Sequence, residues 1–309
     1  MVSTFVWLLF IRLVPSRIES SLQFCLLYYH SIMVKLTHFF GAVALLSHAA
    51  VSTAAACSRP VLQTARDNFF KTLGSPTALS VKLLDSVKIT QNNVLVKSLN
   101  DTIYGFKFSG WSKPLKLTVL DEETCNVAEF NVPTLNGKAH IISTRFKVTA
   151  TGEIVELELF NGSDQIAFQS GLPDQRPAFW EGDAPAPRDQ LFKVLDSYPT
   201  AIQAGDGSTV PVSPTCARYE SGIKMPFTCN GLFSLFQAPV IAHRWYIDTK
   251  TGIGMGNFVF DNETKYAGML ASLWLHEYMK VKDGKIMEIY ATMHSETKYK
   301  DPWSAPTLA

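Results

Sequence analysis

Glu277-Tyr278-Met279-Lys280-Val281-Lys282-Asp283-Gly284-Lys285-Ile286-Met287-Glu288-Ile289-Tyr290 reads as two strands joined by a two-residue turn. Asp-Gly between alternating apolar residues is a strong short-range hairpin signal. The same pattern occurs earlier in the chain. Phe146-Lys147-Val148, Gly152, Ile154 and Glu156-Leu157 parallel Met279-Lys280-Val281, Gly284, Ile286 and Glu288-Ile289. Upstream, Val119-Leu120-Asp121 parallels Tyr246-Ile247-Asp248. The chain therefore contains a repeat.

Each copy opens with a helical pattern. In 58–74, Val61, Leu62, Ala65, Phe69 and Leu73 fall near helical spacing before Gly74-Ser75-Pro76. In 188–204, Leu191, Val194, Leu195, Tyr198 and Ile202 do the same before Gly205-Asp206-Gly207. Alternating β-branched and aromatic runs follow, at 115–120, 126–132, 139–148 and 154–160, then at 241–248, 254–261, 270–281 and 286–293. The fold class is α+β, with two tandem units at 57–170 and 189–309, each a helix followed by a curled antiparallel sheet. Segment 171–188, which carries Pro173, Pro177, Pro185 and Pro187, reads as the linker.

The chain has 309 residues, 47% of them hydrophobic and 18% charged, which is enough to fill a core in each unit. A formal net charge of +1 without a basic face argues against a nucleic-acid partner. Residues 1–56 are set apart as a targeting segment. From Met33, Lys35, the apolar run Phe39 to Ala50 and Ala54-Ala55-Ala56 form a signal-peptide pattern at 33–56. Residues 1–32 hold a second apolar run, Phe5 to Val14, so Met1 and Met33 are both candidate starts. After removal of 1–56, 25 basic and 26 acidic residues remain. The expectation is a neutral protein of the secretory pathway, secreted or in an endomembrane lumen, with no membrane span in the mature chain.

Four cysteines remain in that part, Cys57, Cys125, Cys216 and Cys229, an even number that suits an oxidising route. Cys216 with Cys229 closes a short loop, and Cys57 with Cys125 is the default second pair among three connectivities. Their spacings do not suit a metal, and none is expected. Asn100, Asn161 and Asn262 each begin a glycosylation sequon.

One further set of residues carries a resemblance. Tyr198, Ala204-Gly205-Asp206-Gly207-Ser208, Val210-Pro211, Cys216, Arg218 and Glu220 form its first stretch; His243 to Asp248 and Glu277 to Ile286 follow. Together they resemble a fungal secreted family of unknown-function domains related to the SnoaL-like, nuclear-transport-factor-2-like cone fold. The resemblance covers most of 57–309. It implies two cone-like domains, each with helices closing a sheet around an apolar cavity. It departs at Ser221-Gly222, where Asn-Gly is the family pattern, and the first half keeps only Thr90-Gln91-Asn92-Asn93 there. One working pocket, in the second half, is therefore expected. The resemblance also implies a concrete activity, a hetero-Diels–Alderase joining a tropolone quinone methide to a humulene-type sesquiterpene.

A simple two-residue turn at Asp283-Gly284 sets Lys282 opposite Lys285, Val281 opposite Ile286, Met279 opposite Glu288, Glu277 opposite Tyr290, Leu275 opposite Thr292 and Leu273 opposite His294. Glu277, Glu288, Tyr290 and His294 then share one apolar row, a pocket wall with acid and base groups. A Glu among Leu and Met has its pKa raised, as a general acid near neutrality requires. The competing reading is a wet rim, or a Glu277–Tyr290 bond that satisfies the core. The opposite face holds Trp274, His276 and Tyr278, and period two alone leaves open which face is inside. On 241–248, His243 and Trp245 share one face, and Arg244 and Tyr246 the other. Arg244 is an oxyanion holder or, equally, one end of a salt bridge to Asp248 or Glu220.

The catalytic candidates are thus Glu277, Arg244, His243 and Tyr290. Trp245, Tyr246, Phe258, Phe260 and Trp274 are the substrate-binding candidates. There is no Gly-x-Ser-x-Gly elbow and no phosphate loop, and Gly252, Gly254 and Gly256 lie in a strand-like run rather than opening a helix. No cofactor is expected. Two functions stand: a cofactor-free cyclase or pericyclase of secondary metabolism, and a secreted binder of a lipophilic small molecule. A dehydratase or isomerase of similar substrates is the third. The expected partner is an apolar small molecule, with a homodimer left open.

Overall fold

The computed structural model describes residues 57–71, 81–162, 171–231, 233–235, 237–261, 272–296 and 302–303; the expected signal segment and the Asn262 sequon lie outside the described residues. Helix α1 (Arg59–Lys71) buries Leu62, Ala65 and Phe69, one apolar stripe at helical spacing. Helix α2 (Arg188–Ala204) buries Leu191, Leu195, Tyr198, Ala201 and Ile202. Gly205, at φ 70°, stops α2: its N–H donates to Ile202 O and the Asp206 N–H to Ala201 O, a Schellman closure that needs the left-handed conformation.

The first half contributes β1 (Leu83–Gln91), β2 (Val94–Val96), β3 (Phe108–Asp121), β4 (Asn126–Leu135), β5 (Lys138–Ala139), β6 (Ile142–Val148) and β7 (Ile154–Asn161). Their order is β2-β1-β7-β6-β4-β3, with β5 paired to β4. The second half contributes β8 (Val212–Glu220), β9 (Ile223–Lys224), β10 (Val240–Asp248), β11 (Ile253–Phe260), β12 (Ser272–Lys282) and β13 (Lys285–Glu296). Read from the other edge, their order is β9-β8-β13-β12-β11-β10. Strand for strand, this is the first sheet again.

Neither sheet is purely antiparallel. β1 runs parallel to β7 and β8 parallel to β13, so both sheets are mixed. The strand after each helix enters beside the last strand of its own half, a long-range pairing that no local turn signal announces. β1 and β8 also alternate poorly between buried and exposed positions, which hides them from a period-two reading.

Each helix covers one face of its own sheet, and the two remaining faces pack against each other. That seam joins Leu115, Leu117 and Phe130 of the first half to Tyr246, Met255, Tyr278 and Tyr290 of the second. Phe130 meets Tyr278 edge-on at a centroid distance of 5.9 Å, in the favoured T-shaped geometry. The Pro-rich segment is packed down rather than loose. Residues Ala178–Trp180 form a 3₁₀ turn, and buried Trp180 donates from Nε1 to Glu288 Oε2 at 2.6 Å.

Two disulfides, Cys57–Cys125 and Cys216–Cys229, close loops of 68 and 13 residues and fit an oxidising compartment. By loop-closure entropy they contribute about 4 and about 3 kcal/mol respectively. Among the described residues no helix is long and apolar enough to cross a membrane. Of the sequons, Asn100 is exposed, but Asn161 is fully buried at the end of β7. The Asn161 backbone N–H donates to Asn92 Oδ1 at 2.8 Å. Asn161 is thus enclosed by the fold, whereas Asn100 faces solvent.

Candidate active site in the second half

β12 and β13 pair as the turn dictates only next to it, with Lys282 opposite Lys285 and Val281 opposite Ile286. Then Lys280 faces Glu288 and Met287 is left over as a bulge. Beyond it Glu277 faces Ala291, Tyr278 faces Tyr290 and Trp274 faces His294. A one-residue slip exchanges the faces of a strand. The first half has the same bulge, at Val155, where Lys147 faces Glu156 and Val148 faces Ile154.

This slip divides the acid–base row expected from the sequence. Glu277 faces α2. Glu288, Tyr290 and His294 lie on the opposite side, where Tyr290 stacks on Tyr219 at 4.7 Å and His294 Nδ1 meets Asn92 Nδ2 at 3.1 Å. Trp274 is also in the seam, against Phe160 and Val259. Arg244 is not beside Glu277: its Nη2 donates to Glu158 of the first half at 2.8 Å, and its Nη1 to Tyr246 Oη at 3.2 Å. The salt bridge is real but its partner is neither Asp248 nor Glu220. His243 is part-exposed, with Nδ1 3.2 Å from Asp196 Oδ1.

On the α2 side a lateral row crosses five strands: Trp245, Gly256, Glu277, Ala291 and Glu220 are successive neighbours. The two smallest members flank Glu277. A Cβ on Gly256 would come within 2.6 Å of the Trp245 ring, so the absence of a side chain there is what lets the indole lie across β11. Likewise, a Cβ on Gly254 would meet Leu195 Cδ1 at 2.4 Å, which fixes how close α2 approaches. Phe258 is buried and packs against Trp245 and Phe260, at centroid distances of 6.2 and 5.7 Å. Phe260, Leu273 and Met293 continue this apolar wall and are only partly covered.

Glu277 is 1% exposed, and its Oε2 has no hydrogen-bond partner. Burial pushes its carboxyl up to about 8; Arg218 pulls the other way, and Glu220 adds to the rise. Arg218, 3% exposed, donates from Nη1 to Tyr198 Oη at 2.9 Å and to Cys229 O at 3.3 Å. Its Nε lies 2.9 Å from Glu220 Oε1. Burial raises the Glu220 carboxyl as well, against the pull of Arg218. One guanidinium thus serves two carboxyls. The arrangement is neutral when Glu220 is ionised and Glu277 keeps its proton.

Tyr198, Arg218 and Glu220 are not among the catalytic or substrate-binding candidates read from the sequence. The signal was there: all three lie in the stretch from Tyr198 to Glu220 that carries the family resemblance. What joins them to Glu277 is the parallel β8–β13 pairing, which local patterns do not reveal. Among the described residues no group of three His, Cys, Asp or Glu is placed to hold a metal ion.

Residues 184–293 match the family model described as a domain of unknown function, DUF8021.

That match covers the second half and its carboxyl site, and under half of the chain. No curated protein matches the sequence. Among solved structures, AusH from Aspergillus nidulans is similar at 13% identity and a TM-score of 0.28, over 37% of this chain and 90% of that one. An NTF-2-like protein of unknown function from Burkholderia xenovorans LB400 is similar at 16% identity and a TM-score of 0.28, over 38% of this chain and 89% of its own. At these values neither likeness adds to what the strand order states.

Proposed function

We propose that the second half is the catalytic half, and that it performs acid-assisted cyclisation, dehydration or isomerisation of an apolar small molecule bearing oxygen. One observation carries this reading: a carboxyl buried between an aromatic wall and an arginine, with an oxygen that no protein group satisfies. A buried polar atom without a partner is disfavoured by about 1–3 kcal/mol, so a ligand hydrogen bond there gains in strength. A carboxylic acid neutral at pH 7 donates a proton or a hydrogen bond where a carboxylate only accepts. Glu277 is the acid, and Arg218, held by Tyr198, steadies negative charge on the substrate oxygen. Trp245, Phe258 and Phe260 hold the apolar part. No cofactor is needed for this chemistry.

The hetero-Diels–Alder version is concrete. Glu277 protonates the hydroxyl of a hydroxymethyl tropolone, and water leaves. The ionised Glu277 takes the proton of the tropolone hydroxyl, which gives the quinone methide and restores the acid. A humulene-type alkene then adds across the heterodiene, forming one C–C and one C–O bond. Holding two reactants together contributes about 7 to 11 kcal/mol at best.

The test incubates the mature chain with hydroxymethyl tropolone and humulene and follows product mass and enantiomeric excess. One enantiomer formed above the background rate, lost in Glu277→Gln, supports the reading. Racemic product at background rate, with both compounds still bound, leaves a lipophilic-ligand binder using the same carboxyl as a hydrogen-bond donor.

A further inference from the structure

Beneath the helix of the first half, Phe69 packs against Tyr104 and Phe146 at centroid distances of 5.7 and 5.2 Å. Beside α1, however, a cleft of about 800 Å³ opens between the helix, β3, β4 and the segment around Arg176. That is the size of a small-molecule site. It shares no residue with the Glu277 site.

Its walls combine three kinds of group. Phe70 and Trp111 are partly exposed aromatics from α1 and β3. The Lys116 ammonium sits 4.0 Å from the centre of the Trp111 ring. Glu129 is a floor acid, 3% exposed, accepting from Thr118 Oγ1 at 3.2 Å. The two arginines of the cleft have acids already: Arg66 holds Asp67 and lies with Nε 3.9 Å from Glu129 Oε2, and Arg176 holds Glu181 while donating from Nη1 to Lys116 O at 3.2 Å. The cleft therefore offers a flat apolar surface, a lysine head resting on it and a buried carboxyl behind.

We infer that this cleft is a second ligand site, for a planar aromatic anion that carries a neighbouring hydroxyl, such as a hydroxy-aryl carboxylate. The ring lies against Trp111 and Phe70, the anionic group meets Lys116, and the hydroxyl meets Glu129. Burial raises the Glu129 carboxyl despite the nearby Arg66 and Lys116. The inference stands apart from the proposed activity of the second half.

The test titrates the full mature chain at neutral pH with 3-hydroxy-2-naphthoate, a fluorescent planar hydroxy acid, and in parallel with its methyl ester. Wild-type protein and Glu277→Gln are expected to bind the acid saturably, with one site and equal affinity. Lys116→Met and Trp111→Ala each weaken it about tenfold, and the ester binds about tenfold more weakly than the acid. Unchanged thermal melting of both cleft variants separates lost binding from lost folding, and Lys116→Arg retains binding. No saturable binding, affinity untouched by Lys116→Met and Trp111→Ala, or loss in Glu277→Gln would overturn the inference.

Discussion

Arg59 grips Asp248 with both guanidinium amines, at 2.9 and 2.8 Å, from the first turn of one half to the end of a strand in the other. The reverse pair completes it. Arg188, which opens α2, grips Asp121 at the end of β3, at 2.8 and 2.9 Å. Asp121 and Asp248 are repeat equivalents, as are the two arginines. Backbone bonds are reciprocal too: Ile247 N–H donates to Asp121 at 2.9 Å, and Leu120 N–H to Asp248 at 3.4 Å. The seam within one chain thus has the self-complementary logic of a two-fold dimer interface.

Both aspartates are at most 1% exposed, so removing an arginine strands a buried carboxylate. Arg59→Met and Arg188→Met are each expected to lower stability by about 3 kcal/mol. Urea unfolding at pH 7 measures this. A loss within about 0.5 kcal/mol, the range of ordinary surface changes, would mean the pairs are idle.

Glu277 makes stability depend on pH with a known sign. The unfolded chain releases this proton near the ordinary glutamate value of 4.5, while the folded chain holds it to about 8. Between those values the unfolded state binds fewer protons, so this contribution falls as pH rises and is lost above about 8. Glu277→Gln lacks the term. Its stability relative to wild type should climb through that window, by up to a few kcal/mol, in urea melts at a series of pH values. A flat difference argues against a protonated Glu277.

Gly256→Ala places a methyl group where the Trp245 ring now lies, 2.6 Å from its nearest atom. Displacing the indole should cost about 1–3 kcal/mol and reshape the wall beside Glu277. Trp245 fluorescence, isolated by difference from Trp245→Phe, reports the movement. An unmoved indole with full stability would show that the row has slack.

Cys216→Ser combined with Cys229→Ser opens the 13-residue loop and should lower stability by about 3 kcal/mol. Because Cys229 O also accepts from Arg218, the ligand site should loosen with it. Ligand affinity and unfolding midpoint, measured together, should both fall. A change in the midpoint alone would detach the disulfide from the site.

The hairpin turn, the two helices and eight strand cores were legible because each rests on local periodicity. Asp283-Gly284 set the first two cross-strand pairs correctly. The bulge at Met287 was not legible: an extra Met in an apolar run looks like one more strand residue, yet it decides that Glu277 and Tyr290 point apart. Arg244 illustrates a second limit. Its partner Glu158 is far away in sequence, and only packing of one sheet on the other brings them together. Asn161 shows a third, since a sequon is local while burial at the end of β7 is not.

The most direct measurement of the central claim is a ¹³C NMR titration of the Glu277 carboxyl in the mature protein, assigned by difference from Glu277→Gln. A midpoint near about 8 is predicted, with a protonated acid at neutral pH. A midpoint near 4.5, the ordinary value for glutamate, would contradict the account and leave the second half without its proton donor.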